Sequence, residues 1–231
     1  MRKRIIQLAL SLVTISSLAF SQNKAKLCRT EEGIVYSRTQ IDSLQKLKKT
    51  IAFIGDTIIE NTTFMKVFIY ESIEAFHHLT TKYQGQPLPE LKFLLMNGEI
   101  VDTGDLIGKV VMINFWSTTC RPCIREMPQL NQLHQEYKDR VVFLAPLPEG
   151  RDKAERLLDT HPFSFSIVPD AQAVFNQLEI DGYPKNFFIN KQGIIYRVEE
   201  GQPSRTDENG ESYIAVYEVY SEILDEMLNN H

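Results

Sequence analysis

One stretch of this sequence constrains its fold more than any other: a nearly unbroken apolar run leads, after three residues, into two cysteines spaced by two residues. The run covers residues 110–116, and the cysteines are Cys120 and Cys123. Because apolar and polar residues do not alternate along the run, it predicts a central strand of a sheet that is covered on both faces. Apolar residues then recur at helical spacing over residues 124–137, which predicts a helix that is kinked rather than ended by Pro128.

The two cysteines are predicted to form a redox-active dithiol. A two-residue spacing at the start of a helix brings both sulfurs within disulfide distance. We expect Cys120 to lie at an exposed helix N-terminus, where backbone N–H groups and the helix dipole favour a thiolate, and therefore to be the nucleophile. Arg121 adds a cation beside it, and Pro122 costs no helical hydrogen bond in a first turn. Cys123, one turn deeper, is then the resolving thiol.

Two other interpretations of the cysteine pair are a purely structural disulfide and half of a zinc site. A structural zinc ion needs four ligands. The sequence has no second pair of closely spaced cysteines, and its five histidines are not spaced as a partner pair. Three cysteines are also too few for a disulfide scaffold, so we interpret Cys28 as a spare thiol, with an intermolecular disulfide as the alternative.

From residue 84 onward the sequence predicts short strands alternating with helices. Asn97-Gly98 suits a tight turn, so the runs on either side of it predict a β-hairpin. Further strands are expected at 141–145, 163–168, 186–190 and 194–198, and further helices at 152–158, 171–178 and from Ser212 onward. This alternation is typical of an α/β layer fold. We place the start of a domain, residues 84–231, at the turn-rich stretch 85–89.

The N-terminal residues have the layout of a secretory signal peptide. Arg2-Lys3-Arg4 precedes an apolar run over residues 5–20, and Ala19-Phe20-Ser21 offers a cleavage site. We therefore expect residues 1–21 to be removed on export to the periplasm or another extracytoplasmic compartment. An uncleaved membrane anchor is the alternative, but the run is short for a full span and is interrupted by hydroxyl residues. No integral membrane span is expected in the mature chain.

The charge balance argues against nucleic acid as a partner. The whole chain carries 25 basic and 30 acidic residues, a net charge of −5, and removal of the three basic residues of the leader makes it −8. Residues 22–83 lie between the leader and the recognisable α/β pattern. There we predict a mainly helical N-terminal extension, with helices at about 39–51 and 61–83.

The order of these elements resembles the thioredoxin fold, and more narrowly the TlpA/ResA-like branch of exported thiol–disulfide oxidoreductases, which is related to the redoxin and AhpC/TSA proteins. The resemblance covers roughly residues 85–231. Its carriers are Gly108-Lys109-Val110-Val111 with Asn114-Phe115-Trp116, Cys120-Arg121-Pro122-Cys123, Glu126-Met127-Pro128 and Gly182-Tyr183-Pro184. It implies a thioredoxin-like three-layer α/β/α domain with an N-terminal β-hairpin.

Glu126 is the expected proton carrier of the dithiol. It lies three residues after Cys123, so it shares a helix face with that thiol and could accept its proton. A glutamate at this position has such a tuning role in the resembled family; an exposed acid near a helix start is the alternative. Thioredoxin proper carries a buried aspartate where this chain has Asn114, which leaves Glu126 as the remaining candidate. Thr118-Thr119 is a second departure, since many relatives carry an aromatic residue beside the nucleophile.

The resemblance also implies a partner-binding surface. Pro184 matches a proline that is cis and lies against the dithiol in the resembled fold. A cis bond there would present the backbone of Tyr183 to an incoming peptide or mixed-disulfide partner. Arg121, Pro122 and Trp116 complete the expected substrate-binding set, with a role in the core alone as the alternative for Trp116.

The expected function is dithiol–disulfide exchange with protein substrates outside the cytoplasm. The Cys120 thiolate attacks a partner disulfide, and Cys123 resolves the mixed disulfide. The resemblance favours a reductase that is fed by a membrane or periplasmic electron donor, with cytochrome c maturation as a candidate process. We expect a monomer that needs no organic cofactor and no metal.

Two other functions are compatible with parts of the sequence. The first is a thiol peroxidase, because residues 85–105 also resemble peroxiredoxin openings. Ser117 fits the hydroxyl residue expected three positions before a peroxidatic Cys120, but Ile113 replaces the expected proline, and Cys123 is atypically close. The second is a non-catalytic module that uses the thioredoxin fold to hold a client protein.

Overall fold

The computed structural model describes residues 27–30, 35–37, 40–41, 43, 50–59, 62–70 and 78–229. The chain divides between His78 and Leu79 into two compact units. The expected leader, residues 1–21, lies outside the described residues, and its cleavage stays a prediction. Within the described ranges, no helix has both the length and the apolar character needed to cross a membrane.

The first unit contains a four-stranded sheet, which corrects the prediction of a mainly helical extension. Its strands are β1 (Leu27–Arg29), β2 (Val35–Ser37), β3 (Thr50–Ile59) and β4 (Thr62–Tyr70), in the order β2-β1-β4-β3. The long strands β3 and β4 pair antiparallel, and β1 pairs parallel with β4. Both long segments are rich in threonine, isoleucine and aromatic residues, which favour strands, and this preference outweighs the loose helical spacing of their apolar residues. Of the predicted helices, Gln40, Ile41 and Ser43 are helical, as is the segment from His78 to Tyr83.

The second unit is built on a five-stranded mixed sheet. Its strands are β7 (Val110–Phe115), β8 (Val141–Pro146), β9 (Ser166–Val168), β10 (Lys185–Ile189) and β11 (Ile195–Glu200), in the order β11-β10-β7-β8-β9. Strands β7, β8 and β9 run parallel, whereas β10 is antiparallel to both β7 and β11. All six residues of β7 are buried, as the lack of alternation in its sequence predicted.

Helices cover both faces of this sheet. They are α1 (His78–Tyr83), α2 (Arg121–Tyr137), α3 (Arg151–Leu158), α4 (Gln172–Gln177) and α5 (Val216–Asn229). One apolar cluster joins α2 and α5 to the face of β7 that carries Val110 and Met112, and a second joins α1 and α4 to the face that carries Val111 and Phe115. Two packed faces on one sheet give the three-layer α/β/α architecture expected from the sequence. Pro128 lies within α2, which continues to Tyr137.

Two hairpins flank the sheet. Strands β5 (Lys92–Leu94) and β6 (Ile100–Asp102) pair antiparallel around Gly98, whose φ of 87° suits glycine in the turn, so the predicted N-terminal hairpin is confirmed. The second hairpin was not predicted: β12 (Ser204–Thr206) pairs with β13 (Ser212–Ile214). The final helix therefore begins at Val216 rather than at Ser212.

A buried ion pair fixes the register of β10 against β11. Lys185 and Glu200 stand opposite each other, with 2.8 Å between Nζ and Oε2, and both side chains are almost fully buried. The other carboxylate oxygen of Glu200 accepts hydrogen bonds from the backbone N–H and the hydroxyl of Thr80. The pair thus joins α1 to the strand that begins directly after Pro184.

Candidate active site

The dithiol lies where β7 gives way to α2, as the sequence predicted. Cys120 caps the helix N-terminus, and the backbone N–H of Cys123 donates to the Cys120 sulfur at 3.2 Å. The two sulfurs form a disulfide with 5.3 Å between the Cα atoms. An N–H group aimed at Sγ at the positive end of a helix is an arrangement that stabilises a thiolate once the disulfide is reduced.

The prediction that Cys120 is exposed is wrong for this oxidised form. Cys120 is 0% exposed and Cys123 is 1% exposed, and both belong to the apolar cluster beneath α2. Sequence spacing places the sulfurs on the first helical turn, but their exposure depends on segments that arrive much later in the chain. Arg121, between the cysteines, is exposed, and Pro122 is half-buried.

Glu126 lies one helical turn below Cys123 and is fully buried. Its Oε1 accepts a hydrogen bond from Nδ2 of Asn114 at 2.9 Å. Burial raises the pKa of Glu126 from 4.5 to about 8, and the side-chain amides of Asn114 and Gln202 partly oppose that rise. Such a carboxyl group can take up and return a proton near neutral pH. The alternative of an exposed surface acid is therefore wrong.

Asn114 continues into a buried hydrogen-bonded chain. Its Nδ2 also donates to Oδ1 of Asn186 at 2.8 Å, and Nδ2 of Asn186 donates to the hydroxyl of Tyr220 at 2.8 Å. Asn186 stands directly opposite Asn114 in the pairing of β10 with β7, and Tyr220 comes from α5. Sequence reasoning missed Asn186 and Tyr220, because neither residue lies in a motif.

The peptide bond between Tyr183 and Pro184 is cis. The carbonyl of buried Pro184 accepts the N–H of Gly201 at 2.9 Å. The next residue, Gln202, donates from Nε2 to the carbonyl of Pro122 at 2.9 Å, within the dithiol motif itself. The segment Gly201–Gln202, which follows β11, therefore links Pro184 to the first turn of α2. Sequence reasoning did not single out Gln202, since only the tertiary fold brings it there.

The aromatic residues of the expected substrate-binding set differ in position. Trp116 is fully buried, donates from its indole N–H to the carbonyl of Ala145 at 3.2 Å and packs edge-on against Phe163. Its burial favours the core role that was its alternative. Tyr183 is half-buried, and its ring lies 5.7 Å from that of Phe175.

A second acid holds the loop before Cys120. Oε1 of Glu149 accepts hydrogen bonds from the hydroxyls of Ser117 at 3.0 Å and Thr118 at 3.1 Å, and the Ser117 hydroxyl lies 3.1 Å from that of Thr119. Glu149 follows β8, the parallel neighbour of β7. A sequence signal for it existed, because the carboxyl ends of adjacent parallel strands meet at one edge of a sheet.

The second unit is similar to known proteins in sequence and in fold. The AhpC/TSA family model matches residues 84–198. The thiol-disulfide oxidoreductase ResA of Geobacillus kaustophilus (strain HTA426) is 31% identical over 135 residues, which cover 57% of this chain and 78% of that protein. The chain belongs to this family of ResA-like proteins. The thioredoxin-like protein YneN of Bacillus subtilis (strain 168) is 28% identical to it over 128 residues, covering 54% of this chain and 75% of that protein.

The ResA-like fold is also found among solved structures. A Chlorobium tepidum protein described as a thiol:disulfide interchange protein DsbE superposes with a TM-score of 0.54 at 23% identity, covering 63% of this chain and 98% of that one. This likeness confirms the thioredoxin-like fold. As a ResA-like member of the thioredoxin superfamily, the chain is a thiol–disulfide oxidoreductase. The peroxiredoxin alternative is not better supported than this assignment.

Proposed function

We propose that this chain is an extracytoplasmic reductase of protein disulfides. The observation that carries the proposal is the disulfide-forming pair at the N-terminus of α2, with a buried, protonatable Glu126 one turn below its second cysteine. The cysteine pair supplies two electrons, and the carboxyl group accepts and returns one proton. No other group is needed for exchange with a partner disulfide.

The reductive step begins with the Cys120 thiolate. It attacks one sulfur of the partner disulfide, the partner's S–S bond breaks, and the other partner sulfur leaves as a thiolate that takes a proton from solvent. Cys123 then loses its proton and attacks the Cys120 sulfur of the mixed disulfide, whose S–S bond breaks and releases the second partner sulfur as a thiolate that takes a proton from solvent. The partner gains two electrons, and this chain ends with the Cys120–Cys123 disulfide.

Glu126 is proposed to accept the proton that Cys123 loses. Its Oε1 accepts an N–H from Asn114, which holds the carboxyl group as an acceptor one helical turn from Cys123. With a pKa of about 8, the carboxyl group holds this proton at neutral pH once the disulfide has formed. When an electron donor reduces the disulfide again, the same proton can return to Cys123.

The partner surface is proposed to surround the first turn of α2. Arg121 is its exposed cation, Pro122 is half-buried beside it, and the backbone of Tyr183, before the cis bond to Pro184, is the expected pairing site for an extended peptide. We further propose that the chain acts as a monomer in the periplasm or a similar compartment after loss of residues 1–21. There a membrane or periplasmic electron donor would reduce its disulfide, and the process that uses these electrons would be cytochrome c maturation.

Two cysteine variants test this mechanism. Cys120→Ser should abolish reduction of a protein disulfide, because it removes the attacking sulfur. Cys123→Ser should instead accumulate mixed disulfides with partners, because the resolving sulfur is missing, and these adducts can be counted on non-reducing gels. Wild-type turnover by either variant would refute the mechanism, and full function of Cys120→Ser in cells would favour a client-binding module.

The direction of electron flow is tested by the reduction potential of the pair. Equilibration with dithiothreitol or glutathione mixtures, followed by alkylation of free thiols, gives the value directly. A potential near about −270 mV, like that of thioredoxin, supports a reductase. A potential near about −120 mV would contradict it and indicate a disulfide donor.

A further inference from the structure

Hydrogen bonds among four buried side chains link Glu126 to the C-terminal helix α5. Glu126, Asn114, Asn186 and Tyr220 are each between 0% and 1% exposed. The same atom of Asn114, Nδ2, makes both of its contacts in this chain, one to Glu126 and one to Asn186. The hydroxyl at the far end accepts a hydrogen bond from Asn186.

This arrangement suits the ionised form of Glu126. A carboxylate only accepts hydrogen bonds, so the amide of Asn114 must turn an N–H toward it. The second N–H of that amide then needs an acceptor, which Oδ1 of Asn186 provides, and the N–H groups of Asn186 in turn face the hydroxyl of Tyr220. Nδ2 of Asn114 thus has two acceptors, Glu126 and Asn186, and Nδ2 of Asn186 has the Tyr220 hydroxyl.

A protonated Glu126 can use the same four groups in the opposite sense. The carboxyl O–H becomes a donor, and an amide that turns by 180° exchanges its oxygen for its nitrogen without a change of shape. If Asn114 turns, its oxygen faces both Glu126 and Asn186, so Asn186 must turn as well to present an N–H. The oxygen of Asn186 then faces Tyr220, whose hydroxyl can donate as readily as it can accept.

We propose that Tyr220, Asn186 and Asn114 form a reversible hydrogen-bond relay that pairs Glu126 in both of its protonation states. Asn186 and Tyr220 are thus positioning residues that act through Asn114. A hydroxyl suits the end of the relay, because it can accept or donate a hydrogen bond without turning, whereas a carboxylate could only accept. The relay deepens the proposed function, since it rests on Glu126 cycling between acid and carboxylate during thiol exchange.

Other ionisable groups near the relay do not replace its end group. Burial raises the pKa of Tyr220 well above its ordinary value, and the charges of Glu126 and Glu199 add to that rise, so the hydroxyl keeps its proton. Glu199 accepts a hydrogen bond from Arg197 at 2.7 Å, and Glu200 is paired with Lys185. The cysteines of α2 do not titrate while they are joined as a disulfide.

The relay can be observed in the oxidised full chain by NMR. The carboxyl carbon of Glu126, the side-chain amide of Asn186 and the ring carbon that bears the hydroxyl of Tyr220 should all titrate with one midpoint between pH 6 and 10. In Glu126→Gln the signals of Asn186 and Tyr220 should not move over this range. Tyr137 of α2 is the matched control, because its hydroxyl donates to Asp225 of α5, the helix that carries Tyr220, and takes no part in the relay.

The variant Tyr220→Phe provides a second test, through the titration midpoint of Glu126. Tyr220→Phe leaves an N–H of Asn186 without an acceptor when Glu126 is ionised, but only a carbonyl without a donor when it is protonated. A buried orphan N–H is the rarer and costlier of the two, so the midpoint of Glu126 should move upward. Tyr137→Phe should leave it in place. The pH profile of disulfide reduction by Tyr220→Phe should move in the same direction.

A Tyr220 signal that stays constant while Glu126 titrates would overturn the relay, and so would a Glu126 that does not titrate between pH 6 and 10. These results are separable from the proposed reductase function. Loss of reduction in Cys120→Ser together with a static Tyr220 would leave the function standing and remove only the relay. If the relay residues titrate together but disulfide reduction survives in Cys120→Ser, the relay stands and the proposed function is refuted.

Discussion

Replacement of Glu126 by glutamine should change how the stability of the oxidised protein depends on pH. Burial raises the pKa of this carboxyl from 4.5 to about 8 in the folded chain, whereas an unfolded chain restores its ordinary value. At about 1.4 kcal/mol per pH unit, the difference corresponds to about 5 kcal/mol between the protonated and ionised limits.

The sign of this effect follows from proton binding. Below the ordinary pKa both states hold the proton, and stability is at its full value. As the pH rises toward 8, the unfolded chain has released the proton while the folded chain still holds it, so the free energy of unfolding falls. Above the folded pKa both states have lost it, and the decline ends. Between pH 5 and pH 8 the loss is about 3–4 kcal/mol.

The glutamine variant keeps the shape of the side chain and its oxygen acceptor for Asn114 but has no proton to lose. Urea unfolding of the disulfide-intact wild type and of Glu126→Gln at intervals from pH 5 to pH 9 measures the difference directly. Glu208→Gln, an exposed acid in a loop, is the matched control and should follow the wild type. A difference between wild type and Glu126→Gln that stays constant across this range would refute the buried-acid reasoning.

Three further experiments test other parts of the structure. Glu200→Gln should lower the free energy of unfolding by about 3–5 kcal/mol, because it leaves the buried Lys185 ammonium without its carboxylate; the double variant with Lys185→Met should lose less, and equal losses would count against the pair. Glu149→Ala should cost about 1–3 kcal/mol in urea unfolding, because the hydroxyls before Cys120 lose their acceptor; Glu149→Gln should recover most of it, and no difference between the two variants would contradict this. Cys28 should react slowly with iodoacetamide at pH 8, because burial raises its pKa to about 11; mass spectrometry should find faster labelling in urea, and equal rates would be inconsistent with its burial.

The sequence alone was enough to predict the central strand, the dithiol and the helix that follows it. These features are local: the apolar run of β7, the two-residue spacing of the cysteines and the helical period after them each depend on neighbours in the chain. The hairpin around Gly98 is of the same kind, because one turn specifies it. Glu126 could be singled out as well, since three residues of helix fix its place below Cys123.

Local patterns were misleading where two structures compete for the same residues. The segments that form β3 and β4 carry apolar residues that fit a helix loosely, and only their pairing with each other selects the strands. The stretch that begins at Ser212 has a helical stripe, but its first three residues pair with Ser204–Thr206 and so leave the helix. A strand is stabilised by a partner distant in sequence, which a single segment does not reveal.

Only the tertiary structure determines the environment of the redox site. The sequence predicts which sulfur atoms should exchange electrons and which carboxyl stands one helical turn away. The protonation of that carboxyl depends on burial, and its partners Asn114, Asn186 and Tyr220 come from two strands and a helix that meet only in the folded chain. Desolvation and hydrogen bonding act over a few ångströms in space, whatever the separation along the chain, and these two effects set the chemistry of the dithiol.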